Sequence, residues 1–124
     1  MRIRPERVAQ RIQREVAELL EHRMRDPRIS HWVSVTDCEV NHDLSFARVY
    51  VSILPEGEER ERTLAALHRA EGFVRHELAG RLELREVPEI RFMHDSSLER
   101  GARVDELLRR IERGEPVGED EEGS

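Results

Sequence analysis

The strongest constraint on the fold is the segment 46–54, in which aliphatic side chains recur at every second position. Successive side chains of a β-strand point to opposite faces, so this period predicts a strand with one face in a hydrophobic core. The buried face would carry Ala47, Val49, Val51 and Ile53, and the opposite face Phe46, Arg48, Tyr50 and Ser52. Such a strand belongs in a sheet that other elements cover on one side.

The preceding segment, 32–40, predicts a second strand with an irregularity inside it. Its apolar side chains change sides midway, from Val33 and Val35 to Cys38 and Val40. One extra residue in a strand re-aims every side chain after it, so this change predicts a β-bulge. Residues 41–43, Asn-His-Asp, have the side chains of a turn. We therefore expect the two strands to form an antiparallel hairpin.

Helical spacing of apolar residues predicts two long helices around the hairpin. The first spans about 5–25, with Pro5 at a favourable first position. We expect it to stop before Pro27, because the residue before a proline is pushed out of the α conformation. The second spans about 58–82, with Gly72 in its middle. Glycine costs a helix about 1 kcal/mol relative to alanine, so we expect a kink or a close approach there.

A third strand is predicted at 89–95, followed by a last helix that Ser96 and Glu99 open with capping-box spacing. The order is then α-β-β-α-(kink)-α-β-α. This order predicts an α+β fold with a three-stranded sheet and helices on one face. We expect one domain over residues 1–113 and a disordered acidic tail over 114–124.

Charge is distributed unevenly along the chain. The net charge is −6, but residues 112–124 hold six acidic residues against one arginine, whereas 1–14 hold five arginines against one glutamate. Phosphate binding depends on local patches, so the acidic total does not exclude a nucleic-acid partner. The chain has no apolar run of membrane-spanning length, no visible signal peptide and a single cysteine, Cys38. These features lead us to expect a cytoplasmic protein without a disulfide framework.

Several separated motifs, in the right order, resemble one family. The chain is similar to ribosome-binding factor A in Arg7-Val8-Ala9-Gln10-Arg11-Ile12-Gln13-Arg14-Glu15, Asn41-His42-Asp43-Leu44-Ser45-Phe46-Ala47-Arg48-Val49-Tyr50-Val51-Ser52, Ala70-Glu71-Gly72 with Phe73-Val74-Arg75-His76-Glu77-Leu78, Val87-Pro88-Glu89-Ile90-Arg91-Phe92 and Asp95-Ser96-Ser97. The similarity covers roughly residues 3–111. It implies a type II KH-like domain whose second long helix is interrupted at the Ala-x-Gly kink motif.

The resemblance also implies a function. It suggests a factor that binds immature small (30S) ribosomal subunits, contacts 16S rRNA and supports processing of the 5′ end of that RNA without catalysis. We expect a monomer with no cofactor, no small-molecule substrate and no membrane partner.

The first helix offers a candidate RNA-binding stripe formed by Arg4, Arg7, Arg11 and Arg14. At 100° per residue we place this stripe roughly opposite the apolar face of the helix. Cations near a helix N-terminus are disfavoured by a few tenths of a kcal/mol. Helix stability therefore does not account for Arg4 and Arg7, whereas phosphate binding would. A solvated helix face remains the alternative.

The kink region offers a second candidate, because ordinary KH domains grip their ligand there. We predict RNA contact by Arg69 and Arg75 beside the kink motif Ala70-Glu71-Gly72, and Arg81, which follows the kink, could reach phosphate as well. The chain has no Gly-x-x-Gly loop, the usual KH clamp on the nucleic-acid backbone. Glu71 would repel phosphate if it faced RNA, and salt bridges to Glu71 and Glu77 are the alternative role of these arginines.

Enzyme-like residue types occur without an enzyme-like arrangement. The six histidines show no metal-binding spacing, and a site from His31, Cys38 and His42 would need the hairpin to bring them together. His94-Asp95-Ser96 are neighbours on a strand, so their side chains alternate and cannot form a relay. We expect no catalysis and no metal. The alternatives are a KH-like protein-interaction module that does not contact RNA and a small hydrolase or metal enzyme.

Overall fold

The computed structural model describes residues 4–96, 108–109 and 112–114. In chain order the elements are α1 (Pro5–His22), α2 (Pro27–Trp32), β1 (Val33–Val40), β2 (Phe46–Ile53), α3 (Glu58–Arg69), α4 (Glu71–Ala79) and β3 (Glu89–His94). The last helix, predicted from Ser96 onward, lies mostly outside the described residues. Within its range, Leu108, Arg109 and Glu112 are described and are helical. The predicted acidic tail also lies outside them, apart from Gly114.

The strands form a mixed sheet in the order β1-β2-β3. β1 and β2 pair antiparallel and β2 and β3 pair parallel. The register shifts between Val35 and Asp37, which confirms the predicted bulge. Asn41 closes the hairpin turn: its backbone N–H donates to Phe46 O at 3.1 Å, and its side-chain Oδ1 accepts from Phe46 N at 2.9 Å.

The core lies on one face of this sheet. The four aliphatic side chains of β2 that were predicted to be buried are at most 3% exposed. α1 packs against β1, while α3 and α4 pack against β3. The largest buried side chains on this face include Phe92, Ile12, Leu19, Leu67 and Leu78. No helix in the described part of the chain is long and apolar enough to cross a membrane.

The helix α2 was not predicted. α1 ends at His22 instead of residue 25, and Asp26 then caps a helix of one and a half turns by accepting a hydrogen bond from Arg28 N at 3.0 Å. Asp26-Pro27 is thus a helix start as well as a stop, because proline suits a first helical position. Six residues are too few to show a helical period, and only Ile29 is buried.

The second long helix is interrupted, as expected, but two residues earlier than Gly72. α3 and α4 meet at Ala70, whose N–H is shared between the carbonyls of Ala66 and Leu67. We expected a kink or a close approach at Gly72; a Cβ built there meets no described atom within 4 Å, so the structure shows the interruption, at Ala70, and not a close approach. The predicted end at residue 82 is also too late, because α4 ends at Ala79.

Candidate nucleic-acid interface

The arginine stripe of α1 is exposed along its whole length. Arg4 is the N-cap residue, and its carbonyl accepts from Arg7 N at 3.1 Å. Arg4, Arg7, Arg11 and Arg14 all have exposed side chains. Neither the Arg7 nor the Arg14 side chain forms a hydrogen bond or ion pair with another described residue. Two cations of the stripe are therefore without a counter-ion in the described part of the chain.

The stripe also reaches one edge of the buried face of α1. Arg7 directly precedes buried Val8, and Arg11 directly precedes buried Ile12. At 100° per residue the stripe lies roughly opposite the centre of the buried face, but Arg7, Arg11 and Arg14 share a concave surface with Val8 at one edge of that face. This position lets the stripe meet the chain segment that follows α4.

The border between α1 and that segment forms an open groove of about 390 Å³. The groove is lined by Arg7, Val8, Gln10, Arg11 and Arg14 from α1 and by Leu82, Glu83 and Leu84 from the opposite side. We call this site the arginine groove. It brings three of the four predicted α1 arginines into one concave surface with an apolar floor.

Two arginines hold the groove together. Arg11 Nη2 donates to the carbonyl of Arg81 at 3.0 Å, and Arg11 Nε lies 3.5 Å from Glu15 Oε2. Arg81 Nη1 donates to Glu15 Oε1 at 3.1 Å and also to Glu18 Oε2. The hydrogen bond from Arg81 lowers the pKa of Glu18, and the same bond raises the pKa of Arg81. The Arg81 side chain is thus bound to the carboxylates of α1. Arg11 is bonded to the Arg81 carbonyl and lies near Glu15, but it still lines the groove.

At the kink, Glu71 points into the protein. Its Oε2 accepts from Phe92 N at 2.9 Å and lies 2.8 Å from His68 Nδ1. Phe92 belongs to the edge strand β3, so the carboxylate satisfies a backbone N–H that β2 does not reach. The structure therefore gives Glu71 a structural partner and turns its charge away from the outer surface of the kink.

The two kink arginines differ in their surroundings. Arg75 donates through Nε and Nη2 to the carbonyl of Val87, at 3.3 and 3.0 Å, and so braces the loop before β3. Arg69 is exposed and its side chain pairs with no described residue. Next to it, Gly72 is exposed and Phe73 is 42% exposed. Of the two, Arg69 is the better placed to receive an external phosphate.

The second wall of the groove was missed from the sequence. Leu82, Glu83 and Leu84 have no motif among them, and their role depends on packing against a helix some 70 residues earlier. The only pattern in the sequence that could have indicated this wall is the pair of leucines on either side of Glu83.

The described residues hold no group of three metal-ligating side chains. Burial, with the charges of Asp37 and Glu39, raises the pKa of Cys38 to about 12, so this thiol is not a nucleophile near neutral pH. Asp95 Oδ2 accepts from Thr36 Oγ1 at 2.6 Å, an interaction that ties the bulge of β1 to the end of β3.

Comparisons with known proteins show the family to which the sequence is similar. Residues 4–108 match the family model described as ribosome-binding factor A. A protein of that name from Desulforamulus reducens is 43% identical over 108 residues, covering 87% of this chain and 89% of its own. One from Acetivibrio thermocellus is 41% identical over 105 residues, covering 85% of each chain.

Solved structures agree as well. The crystal structure of ribosome-binding factor A from Thermus thermophilus has a TM-score of 0.64 at 29% identity, covering 73% of this chain and 93% of its own. A homology model of the Thermus thermophilus factor, fitted into a cryo-EM map of a 30S–RbfA complex, has a TM-score of 0.59 at 28% identity, covering 72% and 92%. The predicted α+β, KH-like fold is confirmed.

Proposed function

The chain belongs to the ribosome-binding factor A family, and from this premise we propose that it binds immature 30S subunits by contacting 16S rRNA in the cytoplasm. It supports maturation and 5′-end processing of that RNA as a monomer and without catalysing a reaction. The relative seen in a 30S complex supports the partner. The observation that carries RNA contact is the exposed arginine stripe beside the arginine groove.

The physical basis is phosphate neutralisation on a rigid surface. Arg7 and Arg14 lack protein counter-ions among the described residues, so phosphates would not have to displace a carboxylate from them. Arg4 extends the same surface at the start of α1, and Arg69 supplies a cation at the kink. Arg75 keeps its bond to the Val87 carbonyl and can contribute charge from that fixed position. By binding in this way, the protein would stabilise one conformation of the RNA without making or breaking a bond.

A double charge reversal, Arg7→Glu with Arg14→Glu, tests the proposal without removing the contacts that Arg11 makes inside the protein. We expect the variant to lose co-sedimentation with immature small subunits at moderate salt. The slope of log affinity against log salt concentration should also fall in magnitude by about 1.4–1.8 units for two lost phosphate contacts. The matched control is Arg25→Glu with Arg48→Glu, which changes the net charge equally at exposed positions outside the groove whose side chains pair with no described residue.

The outcomes separate the alternatives. Unchanged sedimentation of the groove variant, with both variants folded, contradicts RNA contact through this stripe. Binding that does not respond to salt, together with absent rRNA crosslinks, favours a KH-like module that contacts only protein.

We also propose that residues 1–113 form the complete binding unit and that residues 114–124 are dispensable for it. A chain cut after Arg113 should retain its affinity for the subunit. A clear gain or loss of affinity contradicts this division.

A further inference from the structure

The arginine groove combines three surfaces that an unpaired nucleotide requires. Arg7 and Arg14 supply cations from α1, while Val8, Leu82 and Leu84 supply an apolar floor. Glu83, which is exposed and whose side chain pairs with no described residue, adds a carboxylate to the same lining. Phosphate, base face and base edge each have a complementary group here, a combination that a merely solvated helix face does not need.

The size of the groove limits what it can hold. Its volume of about 390 Å³ lies near the lower end of the range of small-ligand sites. This space suits one extruded nucleotide and is too small for a duplex. Arg7 and Arg14 are two helical turns apart, about 10 Å along the axis, so they can contact the phosphates on either side of that nucleotide.

The carboxylate selects among the bases. An ionised Glu83 has only acceptor oxygens. The Watson–Crick edge of guanine presents two adjacent donors, N1–H and the N2 amino group. Adenine and cytosine present one amino donor beside an acceptor nitrogen, and uracil presents one imino donor between two carbonyls. Guanine is therefore the base that a carboxylate binds through two hydrogen bonds.

We propose that the arginine groove binds a single extruded guanine nucleotide of single-stranded RNA, with Glu83 reading the base and Arg7 and Arg14 holding the flanking phosphates. The inference rests on the proposed RNA-binding function and adds a site and a base preference to it.

The test measures fluorescence anisotropy of the full chain with a labelled oligouridine whose central nucleotide is G, inosine, A or U. The G oligonucleotide should bind most tightly. Inosine lacks the N2 amino group and should bind at least about fivefold more weakly, the lower bound for a lost specific base contact.

Two variants separate base reading from charge. Glu83→Gln should abolish the preference for G without weakening binding of plain oligouridine, since it removes a negative charge from the groove. Glu86→Gln is the matched control, because Glu86 is exposed but does not line the groove. The backbone amide NMR signals of residues 82–84 should move when the G oligonucleotide is added.

Three results would overturn the inference: equal affinity for all four oligonucleotides, a preference for G that survives Glu83→Gln, or no measurable binding of any oligonucleotide. Groove signals that move on deletion of residues 114–124 but not on addition of RNA would assign the groove to the acidic segment and overturn it too. Each of these can occur while the chain still sediments with small subunits, so the inference can fail while the proposed function stands. Loss of sedimentation itself would instead reject that function.

Discussion

Replacing Glu71 with alanine should destabilise the domain, although Glu71 lies at the kink where a ligand-binding role was expected. The carboxylate accepts the backbone N–H of Phe92 at 2.9 Å and lies 2.8 Å from His68 Nδ1. Alanine removes both interactions and leaves the Phe92 N–H on the outer edge of β3 without its acceptor. A kink residue that only repelled or admitted RNA would not affect folding in this way.

The magnitude follows from the solvent exposure of the site. A hydrogen bond to a charged group contributes about 1.5–3 kcal/mol, and an unsatisfied buried donor costs about 1–3 kcal/mol. The Glu71 side chain is 22% exposed, so water replaces part of what the carboxylate supplies. Alanine also has a slightly better helix propensity. We therefore expect a loss of about 1–2 kcal/mol in the free energy of unfolding, or several degrees in Tm.

Urea denaturation and amide hydrogen exchange measure the two parts of this prediction. The matched control is Glu61→Ala, an exposed glutamate in the first turn of α3, which should stay within about 0.5 kcal/mol of the parent protein. Protection of the Phe92 amide should fall in Glu71→Ala and remain in the control. A Glu71→Ala variant as stable as the control, with Phe92 still protected, would refute the structural role. If that variant also lost subunit binding, Glu71 would belong to the RNA surface.

Three further predictions concern stability. Gly72→Ala should raise the free energy of unfolding by about 0.5–1 kcal/mol in urea titrations, because a Cβ there meets no described atom and alanine favours the helix; a loss of stability would reveal a close approach. The pKa of Cys38 is raised to about 12, so the native state keeps a proton that the unfolded state loses above pH 9. Between pH 9 and about 12, the free energy of unfolding should therefore fall as the pH rises, with a slope of up to about 1.4 kcal/mol per pH unit. Urea denaturation of Cys38→Ala over the same pH range should lack this contribution. The hydrogen bond from Arg81 lowers the pKa of Glu18, so this bond stabilises the protein above pH 4.5, the ordinary pKa of a glutamate, and is lost as the pH falls through the lower folded-state pKa. In an acid titration, the free energy of unfolding of Glu18→Gln should decline less steeply than that of the parent protein. An unchanged curve would contradict the assignment.

Local patterns were enough to predict the sheet. The period of two in β2 identified the buried face, and the change of parity in β1 located the bulge between Val35 and Asp37. Both signals are set by strand geometry, in which each side chain's direction follows from its position in the chain. The short helix α2 escaped prediction because one and a half turns do not establish a period.

The roles of the charged residues were a different matter. The sequence determined that arginines crowd α1 and surround the kink, and it determined the fold that displays them. Only the tertiary structure decided that Arg81 is bound to Glu15 and Glu18, that Glu71 turns inward to Phe92, and that Arg7 and Arg14 face a groove. A long charged side chain has many rotamers, and its partner is chosen by whichever group packing brings within reach. For Arg81 and Glu18 that group lies 63 residues away along the chain, beyond the range of any local pattern.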